Sequence, residues 1–213
     1  MLTLTPIAMA YLNKNISYSE LITLQLFRYQ YPNGHKSQLS PSLMQSYGEN
    51  FNYESFTELQ AHYNIQLRPV ALIWKILHKL WESNEQPILS LDEMQRYAVR
   101  CTVMSDYLPC TESIIDSRHD GQQLRPLTRA RRNMADWMKL LSQTLLFNVS
   151  GDGNTITLSA YSIKERKAVD YVCSRLSAPS SFWEYKKDNY KQDWFDYYGD
   201  YDNSIEYILK ESK

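Results

Sequence analysis

Around residue 145 the chain switches from one hydrophobic period to another, and that switch leaves few folds open. Met134, Trp137, Met138, Leu141 and Leu145 recur at i, i+3, i+4, i+7 and i+11, a single apolar stripe along a helix. The helix runs into LLFNVSGDGNTITLS, where Asn148 and Val149, then Ile156 and Leu158, flank Gly151-Asp152-Gly153-Asn154. The glycines offer the positive-φ positions a tight turn needs, so the segment predicts strand, turn, strand. A one-sided helix followed by a β-hairpin is the order of a winged-helix unit.

The remainder reads as helical. Ser or Thr followed three residues later by Glu marks helix starts at Ser17/Glu20, Ser55/Glu58, Ser90/Glu93 and Ser162/Glu165. The first opens SYSELITLQLFRYQY, which stops at Pro32-Asn33-Gly34. Pro69 stands in the first turn of VALIWKILHKLWESN, where its missing N–H costs nothing. Ile73, Trp74, Ile76, Leu77, Leu80 and Trp81 make that helix central core. Shorter helices are expected from Asp92 to Cys101 and from Ser105 to Ser117, the latter interrupted near Pro109, and a further one from Ser162 to Leu176. The predicted class is mainly α with a small β-hairpin: a winged-helix-like unit plus a helical linker region. Residues 1–85 form a helical region, 86–180 the winged-helix-like unit, and 181–213 an aromatic-rich helical tail.

Charge is concentrated where the winged unit begins. Between Arg118 and Lys139 stand Arg118, Arg125, Arg129, Arg131, Arg132 and Lys139 against Asp120 and Asp136, in a protein whose formal net charge is −1. Arg129, Arg132, Asp136, Lys139 and Gln143 fall on the face opposite the apolar stripe. Arginines at a helix N-terminus oppose the helix dipole, so their position asks for an anion. Phosphate is one answer, and the planar guanidinium fork suits phosphate and guanine edges. Pairing with the acidic tail is another, since residues 181–213 hold eight carboxylates against five lysines. That tail also carries ten aromatic residues and reads as an amphipathic helix docking on the body or on a neighbouring segment.

Several function classes are excluded or left without support. No apolar run approaches the ~20 residues that span a bilayer, and the N-terminus lacks the basic residues of a signal peptide, so a cytoplasmic protein is expected. A pI near 6.4 argues against indiscriminate coating of nucleic acid, but not against one local basic face. Cys101, Cys110 and Cys173 contain no CxxC, and buried free thiols account for them better than a metal site with His119. There is no Walker A loop, GxGxxG, HExxH or GxSxG. His35, His62, His78 and His119 are scattered.

Four phrases resemble the recognition portion of AlwI-like type IIS and nicking restriction endonucleases. They are LTPIAMAYL (4–12), ISYSELITLQLFRYQYPNG (16–34), LRPVALIWKIL (67–77) and WFDYYGD (194–200). In that family an LT-x-x-G phrase closes a winged-helix unit, and a helix ending in a (K/R)-(Y/F)-Q-Y-P-(N/S) turn, an LRP-type helix and a second winged-helix unit follow. Arg28-Tyr29-Gln30-Tyr31-Pro32-Asn33 and Leu67-Arg68-Pro69 match, while the family glycine is Ala8 here. The resemblance implies a fragment or separated subunit. Residues 1–85 would then follow a truncated or absent N-terminal winged-helix unit. A Mg²⁺-dependent nuclease domain would lie beyond the C-terminus.

Nuclease chemistry needs an acidic residue and a (D/E)-x-K pair converging on Mg²⁺. Asp152 with Glu165-Arg166-Lys167, and Asp170 with Glu184-Tyr185-Lys186, have the letters but the wrong local setting, a turn residue and helix or loop positions instead of strands. No catalytic residue, metal ligand or cofactor is therefore assigned to the chain. The reading is a module that recognises double-stranded DNA sequence-specifically. Arg129, Arg131 and Arg132 enter a groove or clamp phosphates, Arg118, Arg125 and Lys139 hold the backbone, and Gln122, Gln123 and Asn133 read base edges. His35 and Lys36 touch the duplex nearby. Two rivals stay open: a protein-interaction subunit working through its aromatic tail, and a small Mg²⁺-dependent nuclease.

Overall fold

The computed structural model describes residues 4–33, 60–121, 124, 128–175, 182 and 190–201, with the backbone alone at 128–132, 175 and 190. Helix α1 (Pro6–Leu12) starts on Thr5, whose hydroxyl accepts the Ala8 amide at 3.3 Å, with Pro6 in the first turn. Helix α2 (Tyr18–Arg28) opens with the full reciprocal cap between Ser17 and Glu20. Helix α3 (Pro69–Glu82) is the axis of the core: Val70, Ala71, Trp74, Ile76, Leu77 and Leu80 are all at most 1% exposed. Each such large aliphatic side chain contributes on the order of 1.5–3 kcal/mol by leaving water.

Strand β1 (Ile88–Ser90) leads straight into α4 (Leu91–Arg96), whose cap is the predicted box of Ser90 and Glu93. Two 3-10 turns, Ala98–Arg100 and Met104–Asp106, precede α5 (Tyr107–His119). After α5 come α6 (Thr128–Leu141), β2 (Phe147–Val149), β3 (Thr155–Leu158), α7 (Ala160–Lys164), α8 (Arg166–Arg175) and α9 (Tyr190–Gly199). The strands form one antiparallel sheet in the order β1-β3-β2, with Leu89 and Val149 both opposite Ile156. Leu89 and Ile156 are fully buried, so the sheet closes the core beneath α3. In chain order this part of the fold runs α3, β1, α4, α5, α6, β2 and β3. Helix α3 packs on α5, β1 and β3.

The mainly helical class and the hairpin are as expected, and the sheet adds a third strand, β1, whose three residues are too few to display a period of two. Three expectations are corrected. Pro109 does not interrupt α5; it lies in the first turn, where no intrahelical N–H is needed. The helix after the hairpin starts on Ser159, whose hydroxyl accepts the Ser162 amide at 3.1 Å, so Ser162 and Glu165 do not form a capping box. Glu165 instead ends α7, and the chain breaks there before α8. The helix expected to reach Cys101 stops at Arg96. The Ser55/Glu58 box lies outside the described residues.

The phrases quoted for the family resemblance meet one another in space. Arg28, 2% exposed, pairs with Asp200 and donates to its backbone carbonyl. Tyr197 donates to the Arg28 carbonyl at 3.1 Å, and Gln25 Nε2 to the Tyr198 carbonyl at 2.8 Å. Phe182, fully buried, stacks on Tyr198 at 6.2 Å between centroids. The aromatic tail therefore docks on α1 and α2 of its own chain. Arg68 likewise donates to the Cys173 carbonyl, tying the start of α3 to α8.

Candidate nucleic-acid interface

Helix α6 is held from behind. Met138 and Leu141 are buried, Met134 is half-buried, and Trp137 meets the Tyr29 ring edge-on at 5.7 Å. Its C-terminal end is anchored to α2: the Leu145 amide donates to Thr23 Oγ1 at 3.0 Å and the Tyr18 hydroxyl to Gln143 Oε1 at 3.0 Å. The helix also packs across α4, whose two-way cap stiffens the preceding turn. Asp136 and Lys139 are exposed on the opposite side, while Asn133 is exposed at the edge of the apolar face, beside Met134 and Trp137. Lys139 lies 3.9 Å from Asp136, with both side chains mostly in water, which makes the pair a weak one.

The three arginines assigned to the groove, Arg129, Arg131 and Arg132, lie in the first two turns of α6, and their side chains are outside the described residues. Helix phase separates them all the same. Positions 129 and 132 precede exposed Asp136 by seven and four residues and share its face. Position 131 precedes buried Met138 by seven and sits at nearly its angle. Gln122, Gln123, Arg125, His35 and Lys36 are outside the described residues.

Arg118 stands apart from the others. Its Nε donates to Glu93 Oε1 at 2.7 Å, and its two terminal nitrogens reach the carbonyls of Gln86 (3.1 Å) and Ile88. The whole fork is engaged inside the fold, at the C-terminal end of α5, where a cation also suits the helix dipole. His119 beside it meets Glu85 at 2.9 Å. Sequence reasoning missed this because Glu93 is 25 residues away and already had a role as a cap.

The hairpin tip is acidic. Asp152 accepts from the Ser150 hydroxyl (2.5 Å), the Asn154 side chain (2.8 Å) and the Asn154 amide (3.1 Å). Those hydrogen bonds hold its carboxyl down to about 2. Only Gly153 of the two turn glycines takes positive φ, +71°. The Leu91 amide donates to the Asn154 carbonyl at 2.7 Å, which fastens the tip to the start of α4. Ser150–Asn154 holds one carboxylate and no cation, an unfavourable field for phosphate.

The residues weighed for nuclease chemistry do other things. Asp152 is the turn's own acceptor, Glu165 lies 3.8 Å from Lys164, and Asp170 pairs with Lys75 at 2.9 Å. Glu184, Tyr185 and Lys186 are outside the described residues. Among the described residues no three His, Cys, Asp or Glu side chains are grouped to hold a metal ion. Cys101 and Cys110 are buried free thiols in mutual contact; Cys110 is pushed up by its bond to Cys101 and by burial, and the same bond pulls Cys101 down. No helix among the described residues is long and apolar enough to cross a membrane.

No protein-family model matches the chain, and comparison with curated proteins and with solved structures finds no match either.

Proposed function

We propose that the chain is a sequence-specific reader of double-stranded DNA, the recognition module of a restriction-type endonuclease whose Mg²⁺-dependent cleavage resides in a separate nuclease domain or subunit. The observation that carries the reading is the position of α6. It is the helix that leads into the β2–β3 hairpin, and it packs across α4, which is separated from it in the chain by α5. Positions 129 and 132 in its first turns extend the exposed face marked by Asp136 and Lys139.

In this reading Arg129 and Arg132 enter the major groove or take phosphates beside it, and Asn133 reads an adenine edge. A good bidentate contact of that kind discriminates by about 1–3 kcal/mol. Arg125, Gln122 and Gln123 approach from the preceding segment, with His35 and Lys36 nearby, and Lys139 follows the backbone. Arg118 acts indirectly, by fixing the β1–α4 joint on which α6 rests. The acidic hairpin tip stays off the phosphates, so the footprint is narrow.

The test is selection from randomised duplexes near physiological salt, with sequencing of the retained pool. Enrichment of one short asymmetric motif is the expected result. Retention without enrichment would reduce the surface to a phosphate binder and remove the support for a restriction-type reader. A second reading, a protein-docking subunit, draws on the exposed Leu4, Met9, Tyr11, Leu12 and Tyr18 in and around α1. No retention of any duplex would favour it. So would a complex with a protein partner whose affinity barely changes with salt, since DNA binding through several phosphates falls steeply.

A further inference from the structure

On roughly the opposite side of α3 from α6 lies a cleft of about 490 Å³ between α3, α8 and Tyr107 at the start of α5. That volume falls within the roughly 300–1,000 Å³ of small-molecule sites. Lys75, Lys79, Arg166 and Lys167 line it, against the two carboxylates Glu82 and Asp170. Two ion pairs cross between the helices, Lys75 to Asp170 at 2.9 Å and Arg166 to Glu82. Each carboxylate is therefore matched by one cation. Lys79 adds only a 3.7 Å contact to the same Glu82, and Lys167 has no ion pair among the described residues. The cleft keeps a surplus of two positive charges.

Trp74, His78 and Tyr107 also line the cleft. Trp74 and His78 stack at 5.0 Å between centroids, and Trp81 meets His78 edge-on at 5.7 Å. Trp74 is 1% exposed and His78 8%, yet Trp74 Nε1 and His78 Nε2 find no hydrogen-bond partner among the described residues. An indole N–H can only donate, so Trp74 Nε1 lacks an acceptor; His78 Nδ1 lies 3.7 Å from Glu82 Oε1, and the role of its Nε2 depends on the tautomer. A buried donor left without a partner costs free energy, and Trp74, which lines the cleft, carries one.

We propose that this cleft binds a small molecule carrying a phosphate group, with Lys79 and Lys167 as its charged contacts and Lys75 and Arg166 as the paired crossbars that set the width. A dianion matches the surplus charge, and the planar Arg166 fork can turn one N–H toward it while keeping Glu82. The site is separate from the DNA-reading face and does not depend on that function being right.

Isothermal titration with inorganic phosphate, with glycerol 3-phosphate and with acetate tests the proposal on the full chain. Saturable binding of one or both phosphate probes at millimolar concentration or below, and none of acetate, is expected. The tighter of the two identifies a free ion or an organic phosphate. Lys79→Gln with Lys167→Gln should weaken the binding roughly tenfold and leave the melting temperature unchanged, because both side chains are at the surface. No saturable binding, or binding that the double variant does not weaken, would overturn the site. If instead the double variant weakens duplex DNA while neither phosphate probe binds, the cleft tracks a nucleic-acid backbone and the small-molecule assignment falls.

Discussion

Arg118 and Glu93 are joined through Nε and Oε1 at 2.7 Å, while the other oxygen of Glu93 accepts the Ser90 amide, also at 2.7 Å. One carboxylate thus caps α4 and fastens the C-terminal end of α5 to the β1–α4 joint. Arg118→Ala should cost about 2 kcal/mol, since the pair is only partly shielded and the freed carbonyls of Gln86 and Ile88 can reach water. Urea unfolding measures the loss. The folded variant should keep the salt dependence of the proposed DNA binding. A slope reduced by about one with stability intact would instead make Arg118 a phosphate contact.

Arg129→Ala and Arg132→Ala should each lower duplex affinity and reduce the salt slope by about one. Neither should destabilise the fold, because each removes a cation from the positive end of a helix dipole. Arg131→Ala should affect binding less than either, given its place on the Met138 face. Equal losses at all three positions, measured by titration over a range of salt, would remove the phase argument.

His78 is held below its ordinary range, first by burial and then by the nearby Arg166, with Glu82 acting in the opposite sense. The unfolded chain therefore binds more protons than the fold near pH 6. The stability contributed by neutral His78 is fully present above about pH 6.5 and declines as pH falls through the depressed folded value. Melting temperature should drop on acidification through this window, and the slope should flatten in His78→Gln. An unchanged slope in that variant would assign the titration to another group.

Gly199 closes the tail against α1. A Cβ placed there would lie 2.6 Å from Thr5 Cγ2 and 2.8 Å from Thr5 Cβ, on a residue already fixed as the α1 cap. Gly199→Ala should destabilise by about 1–3 kcal/mol through overpacking. Thr5→Ser keeps the capping hydroxyl and removes the nearer methyl, so the double variant should recover part of the loss. Full additivity in denaturant unfolding would mean that the two residues do not meet.

Much of the local structure was legible because it is written in nearest neighbours. The Ser17 and Ser90 caps, the first-turn Pro69, the apolar stripe of Met138 and Leu141 and the turn at Gly153 each depend on residues within a few positions. Readings failed where one local pattern had two solutions. Ser159 and Ser162 could each cap the same helix, and Ser159 does so because its hydroxyl also donates to the Leu145 carbonyl and anchors the hairpin. Pro109 could break a helix or begin one, and packing of α5 along α3 favoured the second.

By itself the sequence determined a mainly helical chain with one hairpin and a basic helix leading into it. Tertiary structure decided what the charges do. Arg118 looked like its basic neighbours until Glu93, 25 residues earlier, was brought against it. Arg28 and Asp200, 172 residues apart, bind the tail to α2. Lys75 and Lys79 met Arg166 and Lys167 only because α8 folds back along α3. Helix and turn propensities act over a few residues and can be read in order. A charge acts over several ångströms in whatever direction the fold supplies a partner, and that direction is not written along the chain.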